Sequence, residues 1–516
     1  MKKNGLKIGW AKRDVSTTEP INLPGQFYMR ISTGVLDPVY ATVLFIEDGS
    51  DMVCFVTLDL VVIRNFLVDE VRRLVAKKHP EMPVVKIILN ATHTHAGPSH
   101  YKMTTKPATS KKSKQTSEAG FLDTNQIPTS IKIADSEKYR DWLAQQIADA
   151  VCEAYEKRAP GGIAYGYGYA TVGHSRRVTY FDDTSKRPGE IHNSMAAVHG
   201  HARMYGNTND TKFSGYEAGT ESFVNLLYTF DSKNKLTGAI INVPCPSQNS
   251  ESIYQISSSF WHDVRLLLTK KYGDIFILPQ CAAGGDLSPR ILHYKKAQER
   301  RFALKYGRAP KYTEEFERKD IAERIAAAFD EVLAWAKKDI IKSAVLKHDV
   351  SDVRLSRRIV TDAEYEEAKQ GLAALKDEKF VPEDGDPVAT LRKNTMLIAG
   401  RGRYLGLIKK YEDQKKDKKI TMEMHVVRLG DIAFATNRFE LYMDYMHRIQ
   451  ARSPFTQTFI IQLTGIPGME GGTYLPTQRG FNNRGYSASR FCNLCSPKGG
   501  QELVEATLKK LNELAD

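Results

Sequence analysis

The sequence predicts an α/β protein whose chemistry-bearing residues gather at the ends of strands. Short apolar runs of strand character recur through the 516 residues, and five of them pass at once into polar loops punctuated by Gly or Pro. Amphipathic segments with helical spacing lie between those runs. Hydrophobic residues make up 41% and charged residues 26%, the proportions of a chain that can bury a core in water.

The run 84–89 leads to Ala91-Thr92-His93-Thr94-His95-Ala96-Gly97-Pro98. Residues i and i+2 of an extended segment point to the same side, so both imidazoles can face one spot. Neutral imidazole ligates zinc and also serves as a general base; the plain alternative is two turn histidines. The run 238–243 leads to Pro244-Cys245-Pro246-Ser247-Gln248. The run 275–278 leads to Cys281-Ala282-Ala283-Gly284-Gly285-Asp286-Leu287-Ser288-Pro289-Arg290. The run 432–435 leads to Asn437-Arg438-Phe439-Glu440, and 459–463 to a Gly-rich loop and Tyr474-Leu475-Pro476-Thr477. Loops at one sheet edge can converge on one pocket, which is how α/β enzymes build a site.

Helices are expected at 139–157, where Trp142, Leu143, Ile147 and Val151 keep helical spacing, and at 260–268 and 321–335. The region 291–419 is charge-rich and mostly helical, and reads as a large insertion or helical subdomain. Within it, Glu383-Asp384-Gly385-Asp386-Pro387 reads as a turn. The Thr/Ser/Lys-rich stretch 102–133 reads as a mobile loop beside the histidines, the place for a lid. The main unit thus spans 1–487, followed by a tail, 488–516, that carries one helix expected at 502–514.

The net charge of +13 is concentrated partly in the runs 102–114 and 409–419, which lack apolar periodicity. No aromatic–basic interleaving or nucleic-acid motif accompanies them, so a nucleic-acid partner is not expected. No segment approaches the roughly 18–20 apolar residues of a membrane helix. The opening MKKNGLKIGW has no apolar h-region, so a cytoplasmic location is expected, or a secreted or periplasmic one if a leader was removed. The six cysteines are scattered, which argues against a disulfide scaffold. Cys492 and Cys495 form one CxxC with no second pair to complete a structural zinc site.

ATHTHAGP, GGDLSPR, the opening LKIGWAKRDVS and the closing SPFTQTFIIQLTG, GTYLPT and GY together resemble the catalytic domain of the neutral/alkaline ceramidase family, from near residue 6 to about 487. The resemblance implies a mixed sheet core with surrounding helices and a zinc amidohydrolase. The family's C-terminal β-sandwich domain has no counterpart in the tail after Tyr486. The resemblance places the first zinc histidine on His93, with His95 beside it, the glutamate ligand on Glu440 and the tyrosine ligand on Tyr474. It also places a tyrosine near the scissile carbonyl on Tyr486, an arginine on Arg176 or Arg177, and a serine, assigned in the family as a nucleophile, on Ser288.

One ligand departs from the family pattern. The second zinc histidine should follow the strand ending in Asn242, where the chain reads NVPCPSQ. Counting from one side puts Cys245 there, and from the other Pro246. A thiolate is a good zinc ligand, so the set is Cys/His/Glu/Tyr, or the metal is held otherwise, or it is lost. Glu251, His199, His201 and His262 are spare candidates. On this reading a zinc-activated water cleaves an amide or ester of a small molecule, with an N-acyl lipid among the candidates. His95 would move a proton, and Tyr486 and an arginine would stabilise the oxyanion. His174, beside Ser175-Arg176-Arg177, reads either as a contact for an anionic substrate group or as part of a solvated basic turn. The competing readings are a non-catalytic binding protein on the same scaffold, and a serine hydrolase using Ser288. Ser288 itself reads equally as a turn-capping serine.

Overall fold

A computed structural model describes residues 4–103, 124–195, 199–312, 314–468 and 473–516. Most of the stretch 102–133, with the lid expected there, lies outside the described residues.

Side-chain alternation sets the architecture. In Met52–Leu58, Val53 and Phe55 face one way and Cys54, Val56 and Leu58 the other, and both faces are apolar. Such a strand must be covered on both sides. The larger sheet runs Phe276–Cys281, Leu236–Val243, Glu221–Asp231, Ala159–Ser175, Lys7–Asp14, Tyr40–Glu47, Met52–Leu58, Ile87–Ala91. Its two outermost pairs are parallel and the inner neighbours antiparallel, so the sheet is mixed as expected. A second sheet runs Leu346–Ser356, Lys419–Leu429, Ile432–Thr436, Gln457–Ile461, the last pair parallel.

The two sheets stack face to face around Phe55, Ile88, Leu227, Leu278, Phe434 and Phe459. Helices Asn65–Lys78 and Ser136–Glu156 cover one half of the larger sheet's outer face. Helices Phe260–Tyr272 and Glu315–Ala336 cover the other half. Met443–Gln450 and Pro497–Ala515 cover the second sheet. The result is four layers, helix–sheet–sheet–helix. Ser136–Glu156 shows how locally this is encoded: Tyr139, Leu143, Ile147 and Val151 are buried at helical spacing. Asp135 caps the helix by accepting from Glu137 N.

Three expectations are revised. Residues 84–86 form a 3-10 turn, and the strand is Ile87–Ala91. Val85 is solvent-exposed, while Arg72 ties the carbonyls of Val85 and Ile87. Between its helices the charge-rich region 291–419 contributes strand Leu346–Ser356, an edge strand whose charged outer positions mask its β character. The final helix begins at Pro497, earlier than 502, because Ser496 caps it and Pro is tolerated in the first turn.

Candidate active site

The five strand-end loops interlock through their backbones. Ser247 N donates to Thr92 O (3.1 Å), Ala282 N to Val243 O (2.9 Å), Gln462 N to Cys281 O (3.0 Å) and Asn437 N to Ile461 O (2.9 Å). The parallel pairs cause this, because they end on the same side. Gly285 is needed where two loops meet, since a Cβ there would lie 2.3 Å from Glu440 O.

His93 sits in a left-handed turn, φ +64°, so a turn and not an extended segment brings the two imidazoles together. The rings meet edge to face, 4.9 Å between centroids. A non-glycine residue in this conformation costs on the order of 1–2 kcal/mol. The turn is held by Ser257 N donating to Ala96 O (3.0 Å) and Thr94 Oγ1 donating to Ser257 O (2.8 Å). His93 Nδ1 donates to Val61 O at 2.6 Å, which leaves Nε2 with a free lone pair. That nitrogen faces Glu440 Oε2 at 3.3 Å and His95 Nε2 at 3.4 Å.

Glu440 belongs to the short strand Glu440–Leu441, paired in parallel with Tyr474–Leu475. Arg176 Nη2 donates to Glu440 Oε2 (3.4 Å), to Tyr474 OH (3.3 Å) and to Gly285 O (2.9 Å). Burial works to raise the Glu440 carboxyl, but His93, Arg176 and the Tyr474 phenol outweigh it and hold it below the usual carboxylate range. Burial pushes the phenols of Tyr474 and Tyr486 up, so both stay protonated at neutral pH. The Tyr486 ring meets Tyr474 edge to face at 5.9 Å, and Arg403 lies over it.

The arginine choice is resolved in space. Arg176 enters the cluster. Arg177, fully buried, instead pairs in bidentate fashion with Glu217 (2.7 and 2.9 Å) and donates to Ser487, Gly480 O and Arg484 O. It thereby clamps the segment carrying Tyr486. Cys245 is not brought to His93 or Glu440: its thiol donates to Pro246 O, the side chain packs in the core, and burial raises its pKa. The proline-flanked turn directs it inward. Ser288 is fully buried and its Oγ accepts from Arg290 N, as a turn cap does. His199 pairs with Glu190, and His262 lies on helix Phe260–Tyr272.

The structure adds participants to which sequence reading assigns no role beside His95, although Glu251 is a spare ligand candidate. Glu251 Oε2 lies 3.2 Å from His95 Nδ1, at ion-pair distance but off a hydrogen-bond axis. Arg30 and Gln248 also join, Gln248 Oε1 accepting from Arg176 at 3.2 Å. Gly25, at φ +119°, packs its backbone on the His95 ring, and a Cβ there would lie 2.5 Å from His95 Cγ. A Gly25→Ala chain is therefore expected to lose about 1–3 kcal/mol of stability from overpacking and strain, measured by urea unfolding; an unchanged midpoint would refute the close approach.

Two solved structures share this architecture. One is a neutral ceramidase from Pseudomonas aeruginosa, 17% identical, TM-score 0.62, matching 99% of this chain and 75% of its own. The other is a ceramidase complexed with C2, 14% identical, TM-score 0.61, with the same coverage. The fold is that of the neutral ceramidases. No protein-family model matches the sequence, and no curated protein matches it either. Among the described residues no helix is long and apolar enough to cross a membrane.

On this ceramidase-like fold the donors for the zinc expected from the resemblance are partly assembled. Among the described residues no three His, Cys, Asp or Glu side chains gather round one point. The third donor beside His93 Nε2 and Glu440 Oε2 is the phenol of Tyr474. The 3.3 Å separation of the first two matches the roughly 3.3 Å between two ligands that each sit about 2.0–2.1 Å from a tetrahedral zinc. An imidazole, a carboxylate and a phenol make three protein ligands, the number a catalytic zinc takes when it keeps a position open. The Val61 carbonyl on Nδ1 is the partner a ligating histidine normally has. By donor type these three residues would suit the metal without a second histidine.

Burial also makes stability depend on pH. It lowers His95 and His174 to about 4 and His100 to about 3. Below pH 6.5 the unfolded chain takes up protons that these folded imidazoles refuse, so their contribution falls as pH drops from 6.5 toward 4. Asp286, raised by burial to about 6, and Glu314, raised by burial to about 7, act in the opposite sense. Burial lowers His262, His348 and His425 as well, so among the described residues the lowered imidazoles outnumber the raised carboxyls and stability is expected to fall between pH 6.5 and 4.5. A melting temperature that rises on acidification over this window would contradict it.

Proposed function

We propose that the chain is a metal-dependent hydrolase that cleaves a small amide, with esters as the second substrate class, at the cluster of His93, Glu440, Tyr474 and His95. What supports this reading is the convergence of one fixed imidazole, one ionised carboxylate and one protonated phenol beside a second, neutral imidazole. Zinc held by His93, Glu440 and Tyr474 would supply a Lewis acid and a bound water whose pKa falls toward about 7. The remaining work falls to the chain. Val61 O fixes the tautomer of His93. His95 accepts a proton from the attacking water and passes it to the leaving nitrogen. Arg176 and the phenol of Tyr486 donate toward the carbonyl oxygen as it gains charge.

Two hollows lie away from these residues. One of about 500 Å³ is walled by Tyr205, Arg290, Phe302 and Phe316. The other, about 780 Å³, is walled by Ser489, Phe491 and Tyr404. Neither wall includes His93, His95, Glu440 or Tyr474. The ceramidase neighbours make N-acyl lipids worth including in the substrate search.

The test is hydrolysis of a series of N-acyl amines and esters, from acetyl to long-chain, by the zinc-loaded full chain. Turnover abolished by a chelator and restored by zinc supports the reading. Turnover indifferent to chelator but lost in Ser288→Ala would favour the serine alternative. Saturable binding without turnover would leave a ligand-binding protein.

A further inference from the structure

We infer that Glu251 is the carboxylate that positions His95, making an imidazole–carboxylate pair beside the metal ligands. The inference deepens the hydrolase reading, and only its kinetic test rests on that reading.

Four observations carry it. First, Glu251 is built in place from both sides. Its Oε1 is taken by Arg290, which also holds Glu314 at 2.9 Å, so Oε2 remains for His95 Nδ1 at 3.2 Å. Second, the two main chains are joined by one buried guanidinium. Arg30 donates through Nη1 to Glu251 O and Ile253 O, and through Nη2 to His95 O. The pair is therefore preorganised by backbone contacts and does not depend on side-chain chance. Third, the backbone of Gly25 packs against the Cγ–Nδ1 side of the imidazole, which leaves the ring little room to turn.

Fourth, the lone pairs decide the tautomer. His93 Nδ1 gives its proton to Val61 O, so His93 Nε2 is an acceptor. On His95, a proton on Nδ1 meets the carboxylate charge at 3.2 Å, off the hydrogen-bond axis, whereas a proton on Nε2 would be shared with His93 Nε2 at 3.4 Å. With the His93 Nε2 lone pair given to zinc, only the first partner remains, and Glu251 selects Nδ1–H and presents the His95 Nε2 lone pair to the cluster; the zinc-loaded chain is therefore the one whose tautomer tests the inference.

The location adds meaning. Glu251 follows Pro244-Cys245-Pro246-Ser247-Gln248, the segment in which the resemblance expects a second zinc histidine. Here that loop turns its thiol inward and delivers, a few residues later, a carboxylate to the neighbouring imidazole. In the reaction, His95 Nε2 takes the proton that water loses as its oxygen bonds to the carbonyl carbon. The same proton goes to the nitrogen as the C–N bond breaks, giving carboxylic acid and amine; the acid then loses its remaining proton to solvent or to the amine. Glu251 keeps its charge throughout and takes no proton.

The experiment compares Glu251→Gln, Glu251→Asp and Glu251→Ala with wild type as zinc-loaded full chains. Expected are a kcat about a hundredfold lower in Glu251→Gln, KM within about twofold, unchanged zinc content, and partial recovery of Glu251→Ala by added formate. A kcat within about twofold of wild type in Glu251→Gln would overturn the inference. So would loss of zinc in step with loss of turnover, which would make Glu251 a ligand. A second readout needs no turnover: selective ¹⁵N-histidine NMR should show the wild-type His95 proton on Nδ1, with that preference weakened in Glu251→Ala. A wild-type proton on Nε2 overturns the inference whatever the chain hydrolyses. The expected tautomer without any hydrolysis would remove the hydrolase reading and leave Glu251 as the positioning group.

Discussion

An Arg177→Ala chain is expected to be less stable by about 3–5 kcal/mol, the cost of breaking a buried ion pair from one side. Arg177 and Glu217 are almost wholly removed from water. Truncation would leave the Glu217 carboxylate with Asn483 as its remaining side-chain partner (3.0 Å), and strip donors from Gly480 O, Arg484 O and Ser487. Arg177→Lys should recover only part of the loss, since a point charge cannot reproduce the planar fork on both carboxylate oxygens. Urea unfolding measures the first effect. Limited proteolysis near residues 480–487 should show this segment opening before the rest. Unchanged unfolding midpoints in both variants would show that the clamp contributes nothing. Because Tyr486 lies on that segment, turnover should fall as well, at temperatures where the chain is still folded.

Glu440→Gln is expected to lower bound zinc from about one per chain to near none and to lower turnover about a thousandfold. The amide keeps the shape of the carboxylate but removes the charge that faces His93 and balances Arg176. On the proposed function, a site of three protein ligands that loses its anionic member, with a guanidinium 3.4 Å away, would retain a net repulsion toward a dication: each like-charge pair at about 4 Å costs on the order of 4 kcal/mol at an effective dielectric near 20. Elemental analysis of the folded variant checks this. Full zinc occupancy in Glu440→Gln would remove Glu440 from the ligand set. Cys245→Ala is the companion measurement, and should leave zinc content unaltered, because the thiol faces Pro246 O and the core.

The α/β class was legible because strands buried on both faces must be continuously apolar, and because each parallel strand ends in a loop. The helices at 139–157, 260–268 and 321–335 correspond to Ser136–Glu156, Phe260–Tyr272 and Glu315–Ala336, since their buried stripes follow the helical period. Strand Leu346–Ser356 was not legible: on an edge, with charges at every exposed position, it resembles the helices around it. At the site, His93, Glu440 and Tyr474 stood out by type and motif. Glu251 was legible only as a spare ligand candidate, since nothing local shows that a carboxylate meets a histidine 156 positions away in the sequence, and Arg30 and Gly25 were not legible at all.

Composition and period by themselves determined the class of the fold, the absence of long apolar spans, and the residue types able to hold a metal or move a proton. Those properties depend on each residue's own chemistry and its near neighbours. Which arginine joins the cluster, that Cys245 turns away, and that Glu251 meets His95 were decided only by the tertiary structure. Their physical reason is the stacking of two sheets whose parallel strands end together. Loops distant in sequence then share backbone hydrogen bonds, and each side chain's direction is fixed by the turn it occupies and by which face of the sheet remains open.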